Sequence, residues 1–265
     1  MSLAQQITVA RKYLRYYLTA GNRHDVHSPF VFSLIEDVLR DKQERPEFGE
    51  IELLRKQLLA SEGTIQVTDL GAGSLVSKGN ERKIADITRY AAKQPKFGQL
   101  FYRLIQHLQP KNIVELGTSM GLSSAYMAKG DPNATVYTIE GCPNIAAQAK
   151  KNFDSLHINN IQQRIGNFDT VLPELLPQLS SLDWMYIDGN HRKEPTWNYF
   201  LEALKYVHED TVLIFDDIHW TPDMEEVWHR IQDNEQVTCT IDLFFIGLVF
   251  FRKDLKSKQH FILKY

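Results

Sequence analysis

The chain has 265 residues, of which 43% are hydrophobic and 24% charged, with a formal net charge of -3 and two cysteines. This composition is typical of an ordered globular protein and excludes low-complexity disorder and a disulfide scaffold. The small net charge, without a dense Lys/Arg run, argues against a nucleic-acid partner. The longest apolar run, residues 243–251, is about half of the roughly 20 residues that a membrane span needs. Because the first residues also lack the apolar core of a signal peptide, we expect a cytoplasmic protein with a small-molecule partner and no membrane partner.

The first 60 residues show helical apolar spacing without strand signals, and helices are predicted over 13–20, 30–40 and 51–60. The tyrosines and basic residues of the first helix predict an amphipathic face that packs on the core or on another subunit. A homodimer through the N-terminal helices is therefore one expectation.

Two further N-terminal features invite a functional interpretation. His24 and His27 suggest a metal site, but no matching ligands cluster with them, so a turn between helices is predicted. The glycine-rich segment VTDLGAGS, residues 67–74, is interpreted as a turn in a linker, the alternative being that it folds over a ligand pocket.

From residue 97 onward, short β-rich runs alternate with helical stretches. Seven strands are predicted, over 112–116, 135–140, 161–166, 183–188, 211–217, 237–243 and 247–251. Six helices are predicted, over 98–109, 123–130, 145–157, 171–179, 196–207 and 224–232. The pattern predicts an α/β fold with a doubly wound, seven-stranded, mostly parallel sheet. The short connection before the last strand makes that strand antiparallel. The predicted domains are a helical cap and linker over 1–96 and the α/β domain over 97–265.

A glycine turn follows the first predicted strand of the α/β domain. Gly117 closes that strand and Gly121 opens the next helix, which lets the backbone approach a ligand and the helix pack closely on its neighbours. Glu140 ends the following strand, where a carboxylate can accept hydrogen bonds from both hydroxyls of an adenosine ribose. An exposed strand-end acid is the alternative for Glu140 taken alone. Together the two features favour an adenosine-containing cofactor.

Acidic residues end two later strands. Asp188 follows one, and Asp216 with Asp217 ends the next. If these strands are neighbours, roughly 4.8 Å apart, the carboxylates meet at the ligand edge of the sheet and suit a divalent cation such as Mg²⁺. The alternative is that Asp188 faces the cofactor and Asp216 caps the following segment. His219, with Trp220 beside it, either contacts substrate or packs the loop.

His191 lies three residues after Asp188. An imidazole, with its ordinary pKa of about 6.5, can take a hydroxyl proton at neutral pH. We therefore predict His191 as a general base, the alternative being a solvated loop histidine next to Arg192 and Lys193.

Five segments in this order, VELGTSMGLSS, TVYTIEG, RIGNFDTVLPEL, DWMYIDGNH and VLIFDDI, resemble the successive motifs of class I S-adenosylmethionine-dependent methyltransferases. Within that superfamily the chain resembles the small-molecule O-methyltransferases of the catechol and caffeoyl-CoA type. It also resembles the macrolide-sugar methyltransferases with an IDG-x-H signature. The resemblance covers roughly residues 97 to 252 and implies a Rossmann-like methyltransferase fold.

The resemblance also implies roles for individual residues. The methionine end of S-adenosylmethionine would be lined by the glycine turn, Glu140 would hold the ribose, and Asn167 with Phe168 would flank the adenine. A cofactor-binding set follows: Glu115, Gly117, Ser119, Gly121, Ser123, Glu140, Asn167, Phe168 and Asp188. The metal ligands would be Asp188, Asp216 and Asp217, and the catalytic residues His191 and Asp188. Phe168 departs from the family pattern, which commonly has a hydroxyl or amide there, so it would stack on the adenine without hydrogen-bonding it.

The predicted function is methyl transfer from S-adenosylmethionine to an oxygen of a small hydroxylated substrate, with possible help from Mg²⁺ or another divalent cation. Two alternatives stay open at this point. An NAD(P)-dependent oxidoreductase shares the strand, the glycine turn and the ribose acid, but its glycine spacing differs. A non-catalytic nucleotide-binding module would keep the same pocket without turnover.

Overall fold

A computed structural model describes residues 3–68 and 80–265, with side chains from residue 7 onward. Most of the predicted turn at residues 67–74 lies outside the described residues. The chain divides into two compact units, one formed by residues up to 40 together with 181–265, the other by 41–180. Among the described helices, none combines the length and the apolar character required for a membrane span. The predicted division after residue 96 stays a prediction.

Ten α-helices occur in the described residues. They are α1 (Leu3–Thr19), α2 (Pro29–Leu34), α3 (Pro46–Leu59), α4 (Ile84–Ala91), α5 (Pro95–Leu108), α6 (Leu122–Gly130), α7 (Pro143–Ser155), α8 (Phe168–Leu175), α9 (Lys193–Leu204) and α10 (Pro222–Asp233). A π-helical turn, Ile35–Leu39, extends α2, and 3-10 turns cover Arg23–Asp25 and Leu176–Gln178. Proline at the first turn begins several of these helices, because its fixed φ suits that position and its missing N–H costs nothing there.

Ten β-strands occur in the same residues. They are β1 (Thr64–Gln66), β2 (Glu81–Lys83), β3 (Asn112–Leu116), β4 (Thr135–Glu140), β5 (Ile161–Ile165), β6 (Trp184–Ile187), β7 (Val212–Asp216), β8 (Cys239–Asp242), β9 (Ile246–Phe250) and β10 (Gln259–Ile262). The seven predicted strands correspond to β3 through β9. The near-continuous apolar runs of β6, β7 and β9 reflect burial along the whole strand.

In the unit of residues 41–180, β3, β4 and β5 run parallel in that order. Their register pairs Leu116 with Ile139 and Glu140 with Ile165. The three strands therefore end at one edge, and this is the edge where ligands bind in open α/β sheets. The antiparallel pair β1 and β2 belongs to the same unit.

In the other unit, β6 and β7 are parallel, and β9 lies antiparallel between β7 and β8. The α/β class, the mostly parallel strands, the antiparallel last predicted strand and the N-terminal helices are thus confirmed. The predicted number of strands was too low, because β10 adds a parallel strand beside β8. Its four residues are alternately exposed and half-buried, so this short edge strand has little of the apolar signal that marks the others.

The start and the end of the described chain pair with each other in this unit. The Gly21 N–H donates to the Ile262 carbonyl at 2.8 Å, and the Lys264 N–H donates to the Gly21 carbonyl at 3.2 Å. The Tyr16 hydroxyl, on α1, donates to the Leu263 carbonyl. The segment after α1 and the end of β10 therefore hold each other in place.

Gly98, on α5, lies against α6, and an added Cβ would overlap the ring of Tyr126. We expect Gly98→Ala to lower the free energy of unfolding by about 1–3 kcal/mol, because a well-packed core cannot accept an extra methyl without strain. Gly49→Ala on α3 is the matched control, since a Cβ there meets nothing within 4 Å and should stabilise that helix by about 0.5–1 kcal/mol. Urea denaturation of both variants measures the difference. Equal effects of the two would contradict this account of the α5 and α6 packing.

Candidate active site

The glycine turn begins directly after β3. Gly117, Ser119 and Gly121 have φ values of 104°, 47° and 76°, a region that favours glycine. An added Cβ at Gly121 would overlap the ring of Phe153 on α7, which explains the glycine at the point where α6 begins. The Asn152 side-chain amide donates to the Met120 carbonyl at 2.9 Å and fixes the turn from the side of α7.

Glu140 lies against this turn. The Ser119 N–H donates to Glu140 Oε2 at 2.9 Å, and the Cys142 N–H donates to Glu140 Oε1 at 2.9 Å. The Gly117 N–H donates to the Ile139 carbonyl at 3.0 Å. The structure therefore brings the predicted turn and the predicted acid to the same strand edge. Each oxygen of Glu140 accepts one of these bonds.

Glu115 lies beneath the turn and is fully buried. Its carboxylate accepts hydrogen bonds from Ser123 Oγ at 2.5 Å, from Thr138 Oγ1 at 2.7 Å and from the Ser124 hydroxyl. The hydroxyls of Thr118 and Thr138 also lie within hydrogen-bonding distance of each other. Glu115 thus connects β3, β4 and α6 under the ligand edge. The hydrogen bond from Ser123 Oγ means that this side chain is directed at Glu115. Sequence reasoning missed Thr138 and Ser124, whose polar side chains within largely apolar segments were the available signal.

Asn167 and Phe168 follow β5 at the same edge. The Gly166 N–H donates to the Glu140 carbonyl at 3.0 Å, which holds the start of this segment next to β4. Asn167 Oδ1 accepts from the Asp169 N–H at 2.9 Å and caps α8. Phe168 is half-buried at the first position of that helix. Asn167 and Phe168 therefore directly follow a residue, Gly166, that is hydrogen-bonded to Glu140.

A second group of polar side chains occurs in the unit that contains β6 and β7. Asp188, His191 and Asp216 each offer one ligand atom, and these atoms lie within 4.8 Å of one another. His191 Nε2 is 3.5 Å from Asp188 Oδ1, and the Tyr186 hydroxyl donates to Asp188 Oδ2 at 2.7 Å. Asp216, the last residue of β7, is buried. Two of the three strand-end carboxylates that were predicted to meet, Asp188 and Asp216, thus lie close together, and His191 lies beside them.

Asp217 differs from its predicted neighbours. It lies outside the group formed by Asp188, His191 and Asp216. Its backbone has a φ of 53°, and its N–H donates to the Phe245 carbonyl at 2.7 Å. The left-handed residue turns the chain away from β7. The described side-chain group therefore contains the histidine where the sequence predicted the third aspartate.

The loop that carries His191 is held by a residue that sequence reasoning missed. Asn190 has a φ of 58°, which asparagine tolerates better than most residues. Its Nδ2 donates to the Tyr199 hydroxyl at 3.0 Å, and its Oδ1 accepts from Arg192 Nε at 2.8 Å. An asparagine after Asp-Gly was the available sign of such a turn.

The remaining predicted histidines have structural contacts. His219 Nε2 lies 2.7 Å from Asp242 Oδ2, and its Nδ1 lies 3.1 Å from Glu225 Oε1. Burial lowers the pKa of His219, but the hydrogen bonds and charges of Asp242 and Glu225 outweigh burial, so the pKa is raised. His24 and His27 are exposed, and Asn22 caps a 3-10 turn over Arg23–Asp25, as the turn prediction implies.

Comparisons with known proteins agree with this geometry. Residues 114–218 match a family model described as a methyltransferase domain. A catechol O-methyltransferase of Niastella koreensis is 35% identical over 127 residues, which cover 47% of this chain and 57% of the relative. The catechol O-methyltransferase of Bos taurus is 25% identical over 149 residues, which cover 55% of this chain and 54% of the relative. The chain thus spans little more than half the length of these relatives.

Solved structures share the fold. An SAH-bound methyltransferase of Podospora anserina superposes with a TM-score of 0.60 at 12% identity, covering 81% of this chain and 92% of that one. An O-methyltransferase of Bacillus cereus in complex with SAH superposes with a TM-score of 0.57 at 19% identity, covering 83% and 97%. The chain therefore has the same fold as these methyltransferases. Residues 114–218, which match the methyltransferase-domain model, lie in the part of the chain that is similar to the O-methyltransferase relatives.

The hydroxyl donors around Glu115 generate a prediction about the turn. Thr138→Val keeps the shape of the side chain but removes a donor from a buried carboxylate, so we expect a loss of about 1–3 kcal/mol in the free energy of unfolding. Thr135→Val, at the other end of β4, is the control. Urea denaturation compares the two variants, and a Thr138→Val variant as stable as Thr135→Val would show that this hydroxyl does not support Glu115.

Proposed function

We propose that this protein is an S-adenosylmethionine-dependent methyltransferase that methylates a hydroxyl oxygen of a small acceptor molecule. The observation that carries the proposal is the contact between the Ser119 N–H and Glu140 Oε2, at 2.9 Å. It joins the peptide of a glycine turn to a strand-end acid, which is the arrangement that recognises an adenosine ribose beside a closely approached backbone. The O-methyltransferase relatives and the SAH-bound structures with the same fold support this assignment.

The residues around the turn fit such a cofactor. Ser119 Oγ is buried and has no hydrogen-bond partner within the described protein, although a buried hydroxyl normally has one. Glu140 is the carboxylate that would accept hydrogen bonds from the two ribose hydroxyls. Gly117, with its φ of 104°, lets the peptide approach a ligand without a Cβ. In this proposal Asn167 and Phe168 flank the adenine, and Glu115 supports the turn from below.

The bound cofactor would supply a methyl group on a positively charged sulfur. Transfer of this methyl group to the acceptor oxygen would form a C–O bond and break the C–S bond, whose electron pair would stay on sulfur as the neutral thioether of S-adenosylhomocysteine. The hydroxyl proton goes to His191. Asp188 Oδ1, 3.5 Å from His191 Nε2, stabilises the imidazolium that forms, and the Tyr186 hydroxyl fixes the orientation of Asp188.

A divalent cation such as Mg²⁺ fits the acidic strand ends. Oxygen atoms of Asp188 and Asp216 are the hard ligands that Mg²⁺ prefers, and they lie in the group whose ligand atoms are within 4.8 Å of one another. Asp217, next in the chain, stays the predicted third ligand. A cation held there would lower the pKa of an acceptor hydroxyl. His191 would orient that hydroxyl and take its proton.

The ribose role of Glu140 can be tested by binding alone. Glu140→Gln removes the charge but keeps the shape, and we expect the Kd for S-adenosylhomocysteine to rise about tenfold or more, since hydrogen bonds to charged groups are worth about 1.5–3 kcal/mol. Glu174→Gln, an exposed position on α8, is the control and should leave the Kd unchanged. Isothermal titration calorimetry measures both. A wild-type protein that binds neither S-adenosylmethionine nor S-adenosylhomocysteine would overturn the proposed function.

The base role of His191 needs turnover. On a panel of catechols and other hydroxylated acceptors, with Mg²⁺ or with EDTA, we expect His191→Gln to lower kcat by about 10²–10⁴-fold, the range for loss of a general base. Its Kd for S-adenosylhomocysteine should not change. His229→Gln, an exposed position on α10, is the control. A His191→Gln variant with wild-type kcat would exclude this base.

Cofactor binding without turnover on the whole panel would favour the alternative of a nucleotide-binding module.

The homodimer through the N-terminal helices stays a prediction. Its candidate surface is the exposed face of α1 with Ile7, Leu14, Tyr17 and Leu18. Sedimentation of the full chain would decide it.

A further inference from the structure

The N-terminal helix α1 packs on the turn between β8 and β9. Tyr13 lies edge-on to Phe244 with ring centroids 5.0 Å apart, and it is 5.6 Å from Phe245. Tyr16, in the same cluster, has its centroid 5.3 Å from that of Phe244. Phe244 is also 5.2 Å from the ring of His219. One aromatic cluster therefore connects α1 to the loop that follows β7.

A chain of ion pairs makes a second connection between the same elements. Lys12 Nζ on α1 donates to Glu225 Oε2 on α10 at 2.7 Å. Glu225 Oε1 lies 3.1 Å from His219 Nδ1, and His219 Nε2 lies 2.7 Å from Asp242 Oδ2. The other oxygen of Asp242 accepts from the Phe244 N–H at 2.8 Å. The four side chains link α1, α10, the loop after β7 and the end of β8.

The members of this chain of contacts depend on one another. Glu225 contacts both Lys12 and His219, and Asp242 contacts His219. The side chains of Asp242 and His219 retain only 7% and 19% of their exposure, so water screens this pair weakly. Loss of Lys12 would release Glu225 from α1 and so remove one of the contacts that hold the His219 loop to this helix.

That loop begins at the acidic end of β7. It runs from Asp216 through Asp217 and His219 to Thr221, the N-cap of α10. The Asp217 N–H donates to the Phe245 carbonyl at 2.7 Å, and the Trp220 N–H donates to the Asp217 carbonyl at 3.0 Å. The backbone of Asp217 is thus held by the turn on which α1 packs. The path of the loop away from Asp216 is set by contacts that include the N-terminal helix.

We propose that Lys12 and His219 are positioning residues: through Glu225 and Asp242 they lock the loop of residues 216–221 to α1, and so set how tightly the divalent cation and the acceptor bind. The inference rests on the proposed function of Asp216 and Asp217. It gives α1 a role in the reaction in addition to its packing on the turn between β8 and β9. Cofactor binding at the Gly117 turn does not depend on these contacts.

The test compares Lys12→Met with Lys193→Met. Lys193 Nζ contacts Glu226 Oε1 at 3.0 Å, so the control removes a lysine from an ion pair to the neighbouring residue of α10 without touching the loop. For Lys12→Met we expect the Kd for Mg²⁺ and the KM for the acceptor to rise about three- to tenfold, the range for indirect coupling. The kcat and the Kd for S-adenosylhomocysteine should stay within about twofold. In Lys12→Arg, which keeps the positive charge, the Kd for Mg²⁺ and the KM for the acceptor should both be close to the wild-type values.

Hydrogen–deuterium exchange of the protein provides a readout that does not depend on catalysis. The peptide that covers residues 216–221 should exchange about tenfold faster in Lys12→Met than in Lys193→Met, because opening of a local segment sets its exchange rate. The glycine turn at 117–121 should exchange as in the wild type. Should Lys12→Met fold poorly, Glu225→Gln tests the same link.

The outcomes separate the two proposals. Faster exchange confined to residues 216–221, with raised Mg²⁺ Kd and acceptor KM, supports the positioning role. Unchanged exchange and an unchanged acceptor KM in an active enzyme would overturn it. An equal impairment of all the measured binding and kinetic constants would also overturn it, because that pattern indicates general destabilisation. A wild type that shows neither cofactor binding nor turnover would instead overturn the proposed function.

Discussion

The architecture of the cofactor edge depends on two carboxylates that hold one peptide turn. Glu140 accepts the backbone N–H groups of Ser119 and Cys142 from the side, and Glu115 holds the first residues of α6 and the middle of β4 from below. A turn with three left-handed residues would not keep this shape by local preference alone. Fixing it in advance means that a ligand need not supply the free energy of ordering it.

The second set of acids is managed differently. Asp188 and Asp216 converge with His191, and acids brought together in this way repel one another unless a cation, a proton or hydrogen bonds compensate. Asp242 lies in the same unit but is matched by His219 and the Phe244 N–H. Asp242 is thus part of the architecture, while the acids at the ends of β6 and β7 are the ones for which we propose a role in the reaction. The two roles are separated by the partners that each side chain finds.

The sequence predicted the parts that depend on local pattern and missed those that depend on contacts distant in the chain. The continuous apolar run of β3 and the glycine after it placed the turn, and the parallel order of strands placed Glu140 beside it. The hydrogen bonds to Glu115 could not be predicted, because their donors come from α6 and β4 and only the packed structure brings them together. Asp217 stays a predicted third ligand, although it has a left-handed backbone and lies outside the group of Asp188, His191 and Asp216. The strand β10 was missed because its few residues alternate in burial and lack an apolar run.

The pairing of Gly21 with Ile262 and Lys264 also bears on how the chain acquires its structure during synthesis. The helix α1 is translated long before its partners Phe244 and Leu263, since 247 residues separate Tyr16 from Leu263. Until then its apolar and aromatic face has no native surface to cover it, and such long-range contacts form slowly. The helix α1 is therefore made early and reaches its native contacts late.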